Sequence, residues 1–179
     1  MKLLIANRNY SSWSLRPWLV LKHFDIPFED EVLMLSGEGW RAAIAARSPS
    51  GRVPVLIDGD LVVPESLAII EYLADRFPEK PIWPADLHQR ARARSAAAEM
   101  HAGFSALRSQ APMNLRGNHP GKVALDGIAR DLHRLETLWG ELTDASGGPF
   151  LFGAFTAADA MFAPVATRIR VYDLPVSDH

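Results

Sequence analysis

Glu65 and Ser66 fall where an apolar run ends and helical spacing begins. A carboxylate and a hydroxyl at that join suit the capture of small charged groups. The first turn of a helix leaves N–H groups unpaired at the positive end of the dipole, where anions collect. The same position also suits Ser66 as a simple N-cap. Pro54 stands at the head of the preceding apolar run, where proline is rarely tolerated inside a central strand. It reads either as a strand-initiating residue or as a turn that presents backbone rather than side chain, as a cis bond after Val53 would.

Other chemistries are excluded by composition. The chain has no cysteine, so it has no disulfide, no thiolate metal site and no thiol nucleophile of its own. Its six histidines are scattered without metal-ligand spacing, and no metal site is expected. A net charge of −2 with interspersed signs argues against nucleic acid or an anionic membrane as the main partner. No stretch reaches the roughly 18 apolar residues that span a bilayer. The opening residues are too short in apolar length for a secretory signal, and a cytoplasmic protein is expected.

The elements that must position Glu65 and Ser66 are legible around them. Val53 to Ile57 is apolar and β-branched, Asp58-Gly59-Asp60 is a hairpin turn signal, and Leu61 to Val63 resumes the run until Pro64. Leu67, Ile70, Leu73, Ala74 and Phe77 then recur at helical spacing. Upstream, Lys2 to Ala6 suits a buried strand, Asn7 to Ser12 a turn, and Ser14 to Phe24 a helix with Pro17 in its first turn. Glu29 to Leu35 reads as a second strand and Ser36 to Arg47 as a weak helix. The order is βαβαββα.

Three prolines within Pro78–Pro84 mark a linker. Beyond it the chain reads helical: residues 86 to 110, then a face from Leu125 through Leu142, then a helix opened by Thr156-Ala157-Ala158-Asp159 in a capping-box pattern. Pro164 inside that last helix predicts a kink. Segments 112–121 and 145–149 read as loops.

This arrangement resembles the glutathione transferase family over essentially the whole chain. The most specific stretches are Ser48 to Leu56, Glu65 to Leu73, and Phe155 to Asp159. Ser11-Ser12-Trp13-Ser14-Leu15-Arg16 is similar to the zeta-class opening Ser-Ser-Cys-Ser-Trp-Arg. The resemblance implies an α/β thioredoxin-like N-terminal domain with a mixed sheet over residues 1–78. A linker at 79–85 and an all-α C-terminal domain over 86–179 would follow. It further implies a homodimer and a helical domain incomplete at its C-terminus, since family members usually continue further.

It also implies a site. Pro54 would be cis, with the Val53 backbone pairing to the cysteinyl part of glutathione. Glu65 would meet the α-ammonium, Ser66 and the helix N-terminus the α-carboxylate, and Arg52 either the glycyl carboxylate or solvent. A hydroxyl donating to the sulfur near the first helix would hold it as thiolate, the nucleophilic form. The donor falls at Ser11, with Ser12 next and Tyr10 competing, while Ser14 reads as the helix N-cap. Arg16 would organise the turn, approach substrate or lie on the helix surface. Trp40, Met100, Phe104 and Met113 would line a second-substrate pocket or belong to the core.

The function implied is a transferase attacking a small hydrophobic electrophile with glutathione thiolate. Trp13 stands where the zeta pattern has Cys, a departure that weighs against the isomerase chemistry of that class and leaves simple thiol activation intact. The alternatives are a glutathione-dependent cis–trans isomerase of maleylacetoacetate type and a non-catalytic glutathione-binding or dimeric interaction module.

Overall fold

The apolar runs of the first half build one four-stranded sheet. In the computed structural model, which describes residues 1–34 and 36–176, β1 spans Lys2–Ile5, β2 Glu29–Val32, β3 Val55–Asp58 and β4 Leu61–Pro64. Their order is β2-β1-β3-β4, with β1 parallel to β2 and antiparallel to β3, and β3 antiparallel to β4. This is a mixed sheet, as expected. Leu3, Leu4, Val55 and Leu56 are fully buried at its centre. Gly59 takes the left-handed turn between β3 and β4 at φ +59°, a conformation that glycine adopts without steric cost.

The helices of this half are α1 (Ser12–His23), α2 (Trp40–Ala45) and α3 (Ser66–Arg76). α1 begins two residues before the expected Ser14, because Ser11 takes the N-cap position. Pro17 therefore lies beyond the first turn, where its ring has no N–H to give to the helix. The β2 strand is also shorter than expected: its ladder with β1 closes at Ile5 and Val32, and Leu35 lies outside the described residues. Tyr72 of α3 donates to the Asp58 carboxylate at 2.7 Å, which fastens that helix to the hairpin. The chain divides into two compact units, the first being Met1–Ile82 and the second starting at Trp83.

The second unit holds α4 (Leu87–Ala102), α5 (Ser105–Gln110), a 3-10 turn at Leu125–Gly127, α6 (Ala129–Ser146) and α7 (Ala157–Tyr172). One helix was expected over 86–110, and it breaks at Gly103-Phe104. A Cβ at Gly103 would lie 2.8 Å from the Glu99 carbonyl oxygen, and Phe104 is left-handed at φ +54°. The Asp131 carboxylate of α6 accepts the Leu107 amide at 2.9 Å and so caps the new helix from outside. α6 runs to Ser146, past the expected loop start at 145, until Gly147 at φ +63° ends it. α7 continues through Pro164 to Tyr172, and the closing residues 177–179 of the expected domain lie outside the described residues.

α4 lies against α7, with its Ala93, Ala96 and Ala97 buried. Four hydrogen bonds tie the segment after α5 to α7. Arg168 Nε donates to the Ala111 carbonyl at 2.8 Å and Tyr172 to Pro112 at 2.9 Å. Arg170 donates to Leu115 at 3.2 Å, and the His119 amide to Val171 at 2.7 Å. Burial holds the Arg168 guanidinium down to about 10. Among the described residues no helix is long and apolar enough to cross a membrane.

Candidate functional site

Strand register gathers the predicted site at one end of the sheet. Leu4 faces Val55 in the antiparallel β1–β3 pair, and Val55 faces Pro64 in the β3–β4 pair. The exit of β1, the entry of β3 and the exit of β4 therefore coincide. Ser11 and Ser12 follow the first, Val53 and Pro54 precede the second, and Glu65 and Ser66 follow the third.

The Val53–Pro54 peptide is cis. Both ladders of β3 begin at Val55, so the Val53 backbone stands outside them. The Glu65 amide donates to the Pro54 carbonyl at 3.4 Å, which ties the two segments together. Arg52 is exposed, while its own amide and carbonyl are both pinned by the Ser48 hydroxyl, at 3.2 and 2.7 Å. Gly51, at φ +64°, makes the turn before it.

At the start of α3 the N-cap is Glu65, not Ser66. Glu65 has φ +82°, in the region that favours glycine, and this turns its side chain back over the helix. Its carboxylate accepts the Ser66, Leu67 and Ala68 amides at 2.7, 3.1 and 3.3 Å and the Ser66 hydroxyl at 2.8 Å. Ser66 is completely buried beneath it. The N–H groups anticipated for an outside anion are thus held by an anion of the chain itself. The arrangement demonstrates that this helix end accepts a carboxylate.

The turn before α1 is built by Asn7. Its side-chain oxygen accepts the Asn9 amide at 2.8 Å, and its carbonyl accepts Tyr10 and Ser11 at 3.2 and 2.9 Å. Arg8 binds the Asp30 carboxylate at 2.8 Å and Trp18 Nε1 reaches it at 3.0 Å; the Arg8 hydrogen bond holds that carboxyl below its ordinary range. Ser14 is not the cap. It is buried, and its Oγ accepts the Ala6 amide at 3.1 Å and the Ser11 hydroxyl at 2.8 Å. Arg16 is completely buried rather than on the helix surface, donating to the Ser12 carbonyl at 2.9 Å with its guanidinium 4.2 Å from the Trp13 ring centre. It organises the turn.

Ala6, Asn7, Tyr10, Ser11, Ser12, Trp13, Leu33, Met34 and Ser36 line a hollow of about 480 Å³. Both candidate hydroxyls and the competing Tyr10 open onto it; Val53, Pro54, Glu65 and Ser66 lie outside its lining. Met100, Phe104 and Met113, weighed as pocket or core, are at most 5% exposed and belong to the core. Trp40 does not line the hollow. Leu33 and Met34 do, and nothing in their spacing marked them, since they follow a strand whose pattern is polar and irregular.

Residues 10–76 match the family model of the glutathione S-transferase N-terminal domain. The chain is 35% identical over 117 residues to a zeta-class glutathione S-transferase of Euphorbia esula, covering 65% of this chain and 52% of that one. It is 36% identical over 118 residues to a maleylacetoacetate isomerase of Pseudomonas aeruginosa, covering 64% and 55%. It thus spans about half the length of the curated relatives it matches. A glutathione transferase homologue from Burkholderia, solved with glutathione bound, superposes with a TM-score of 0.70 at 26% identity, covering 98% of this chain and 84% of that one. With the mixed sheet, the cis Val53–Pro54 bond and the carboxylate-capped α3 already in view, these likenesses identify residues 10–76 with the glutathione S-transferase N-terminal domain and make the chain similar to members of that family.

Proposed function

We propose that the chain binds glutathione along the end of its sheet and activates the sulfur as thiolate for attack on a small electrophile. The observation that carries this reading is the convergence of Val53-Pro54, Glu65-Ser66 and Ser11-Ser12 at one sheet end. An extended tripeptide pairs its cysteinyl backbone with Val53, outside both ladders. Its α-carboxylate takes the Ser66 and Leu67 amides while Glu65 swings outward to meet the α-ammonium. Arg52, exposed beside Val53, is available to the glycyl carboxylate.

The sulfur then lies against the serine turn. A free thiol has a pKa of about 8.5, and each unit of depression equals about 1.36 kcal/mol of preference for the thiolate. The N-terminus of α1 and a hydroxyl donor supply that preference. Ser11 is the first choice of donor and Ser12, which makes no side-chain hydrogen bond among the described residues, the second. Burial of Arg16 under the turn adds a positive charge near the same point.

Likeness to the maleylacetoacetate isomerase of Pseudomonas aeruginosa supports a second reading. The thiolate adds to one carbon of a cis double bond, the resulting single bond rotates, and the thiolate is expelled with its electron pair as the trans double bond forms. Glutathione is regenerated. The same sulfur activation serves both readings. Titration calorimetry with glutathione and thiolate absorbance at 240 nm test them together: micromolar to millimolar binding with absorbance appearing below pH 8 is expected. Binding without thiolate below pH 8 would leave a non-catalytic glutathione-binding module.

A further inference from the structure

The second unit carries an aromatic-lined hollow of its own. We propose that it binds a small methylated ammonium group, held between aromatic rings and the Asp159 carboxylate. The hollow measures about 260 Å³ and is bounded by α6, the loop after it and α7. Trp139, Phe150, Phe155 and Phe162 line it together with Asp159. Trp139 meets Phe162 edge to face at 5.8 Å, and Phe150 meets Phe155 likewise at 5.6 Å. Rings at right angles form corners, and an occupant of such a corner lies against the negative face of a ring. At about 260 Å³ the space is below the roughly 300–1,000 Å³ of drug-sized sites, so its occupant is a small group.

Charge decides what that group is. Asp159 is the single charged residue among the described lining residues, which include no Lys, Arg or His. Its carboxylate accepts the Leu151 and Thr156 amides and the Thr156 hydroxyl, all neutral donors. Asp159 forms no ion pair among the described residues, so its negative charge stands uncompensated at the hollow. A neutral apolar occupant would strip water from this carboxylate and return nothing, and an anion would be repelled. A primary ammonium has three donors to satisfy, whereas the Asp159 oxygens already hold three hydrogen bonds and the rings offer no acceptor. A methylated ammonium needs none. Its charge is spread over methyl groups that pack on ring faces, while the carboxylate balances it. Burial pushes the Asp159 carboxyl up, and a cation held beside it would draw it back down.

The test is a titration of the unaltered chain with choline, followed through the indole N–H resonance of Trp139. Choline should give a saturable shift, and its neutral carbon isostere 3,3-dimethyl-1-butanol should bind on the order of tenfold more weakly. Phe150→Ala, at a position 38% exposed, should weaken choline binding by about two- to fivefold. Asp159→Asn, once circular dichroism shows it folded, should bind choline no better than the isostere. Equal affinities for choline and the isostere would overturn the proposal, as would the absence of any saturable shift. Unchanged affinity in Phe150→Ala or in a folded Asp159→Asn would do the same. Asp159 also completes the capping box of α7. Should its variant not fold, the isostere and Phe150→Ala decide the question alone.

Discussion

The Ser11 hydroxyl donates to Ser14 Oγ at 2.8 Å, and the same oxygen accepts the Ala6 amide at 3.1 Å. Ser14 therefore clamps the end of β1 to the start of α1, and the Ser11 proton points inward. In the proposed function, Ser11 turns that proton to the bound sulfur. One neutral hydrogen bond is exchanged for a charge-assisted one, and Ser14 keeps its bond to Ala6. Charge-assisted bonds contribute about 1.5–3 kcal/mol, so Ser11→Ala should raise the pKa of bound glutathione by about one to two units.

Ser14→Ala should behave oppositely. It leaves the buried Ala6 amide without its acceptor, a loss of about 1–3 kcal/mol in urea unfolding. The pKa of bound glutathione, followed by absorbance, should move by only a few tenths of a unit. A Ser14→Ala shift as large as that of Ser11→Ala would mean that the two act as one unit.

Glu65 caps α3, and in the proposed function it also meets the α-ammonium of glutathione; the two roles can be separated. Its carboxylate caps α3, and its φ of +82° carries strain of about 1–3 kcal/mol for a non-glycine residue. Glu65→Ala keeps the strain and loses the cap, so a loss of about 1–2 kcal/mol of stability is expected. Glu65→Gly loses the cap and relieves the strain, so its thermal midpoint should lie above that of Glu65→Ala and near the original. Glutathione affinity should fall in both, because neither retains a carboxylate for the α-ammonium. Calorimetry and thermal unfolding on the same two proteins separate the roles.

Much of this was readable in the residues, and where reading failed the cause was local backbone geometry. The Asp58-Gly59-Asp60 turn, flanked by apolar runs, located β3, β4 and the start of α3. The identity of the cap was misread, since Ser66 has the better capping chemistry in isolation. Only the positive φ of Glu65, which sequence does not display, brings the carboxylate over the helix. Ser14 looked like a cap for the same reason, yet its hydroxyl serves a partner eight residues away on β1. The break at Gly103-Phe104 depended on a left-handed phenylalanine that no propensity would suggest. Met34 became visible only once folding left it exposed beside Ser11 and Ser12.

Thr156 and Asp159 are a pattern the sequence displayed openly, and the geometry makes their energetic weight unequal. Asp159 accepts the Thr156 amide and hydroxyl at 2.7 and 3.0 Å and also the Leu151 amide at 3.0 Å, while Thr156 Oγ1 accepts the Ala158 amide at a longer 3.3 Å. Burial pushes the Asp159 carboxyl up against the pull of these donors. Asp159→Ala strips two amides of their acceptor and should cost about 2–4 kcal/mol, against about 1 kcal/mol for Thr156→Ala. Urea midpoints of the two variants check the ratio; equal losses would make the cap alone responsible.

Glu31 of β2 and Arg47 beyond α2 form a two-pronged ion pair, with Lys2 at 3.6 Å. The Arg47 hydrogen bond holds the Glu31 carboxyl at about 2, well under its usual 4.5, and Arg47 is held above its ordinary range in return. A carboxyl depressed in the folded state contributes stability that is fully present above about 4.5 and lost as pH falls through about 2. Unfolding midpoints measured from pH 6 down to 2 should therefore fall less steeply in Glu31→Gln than in the original chain. Both groups are substantially solvent-accessible, so 0.5 M salt, at a screening length of about 4 Å, should draw the two curves together. Curves that stay parallel through that window would show that folding does not depress the Glu31 carboxyl.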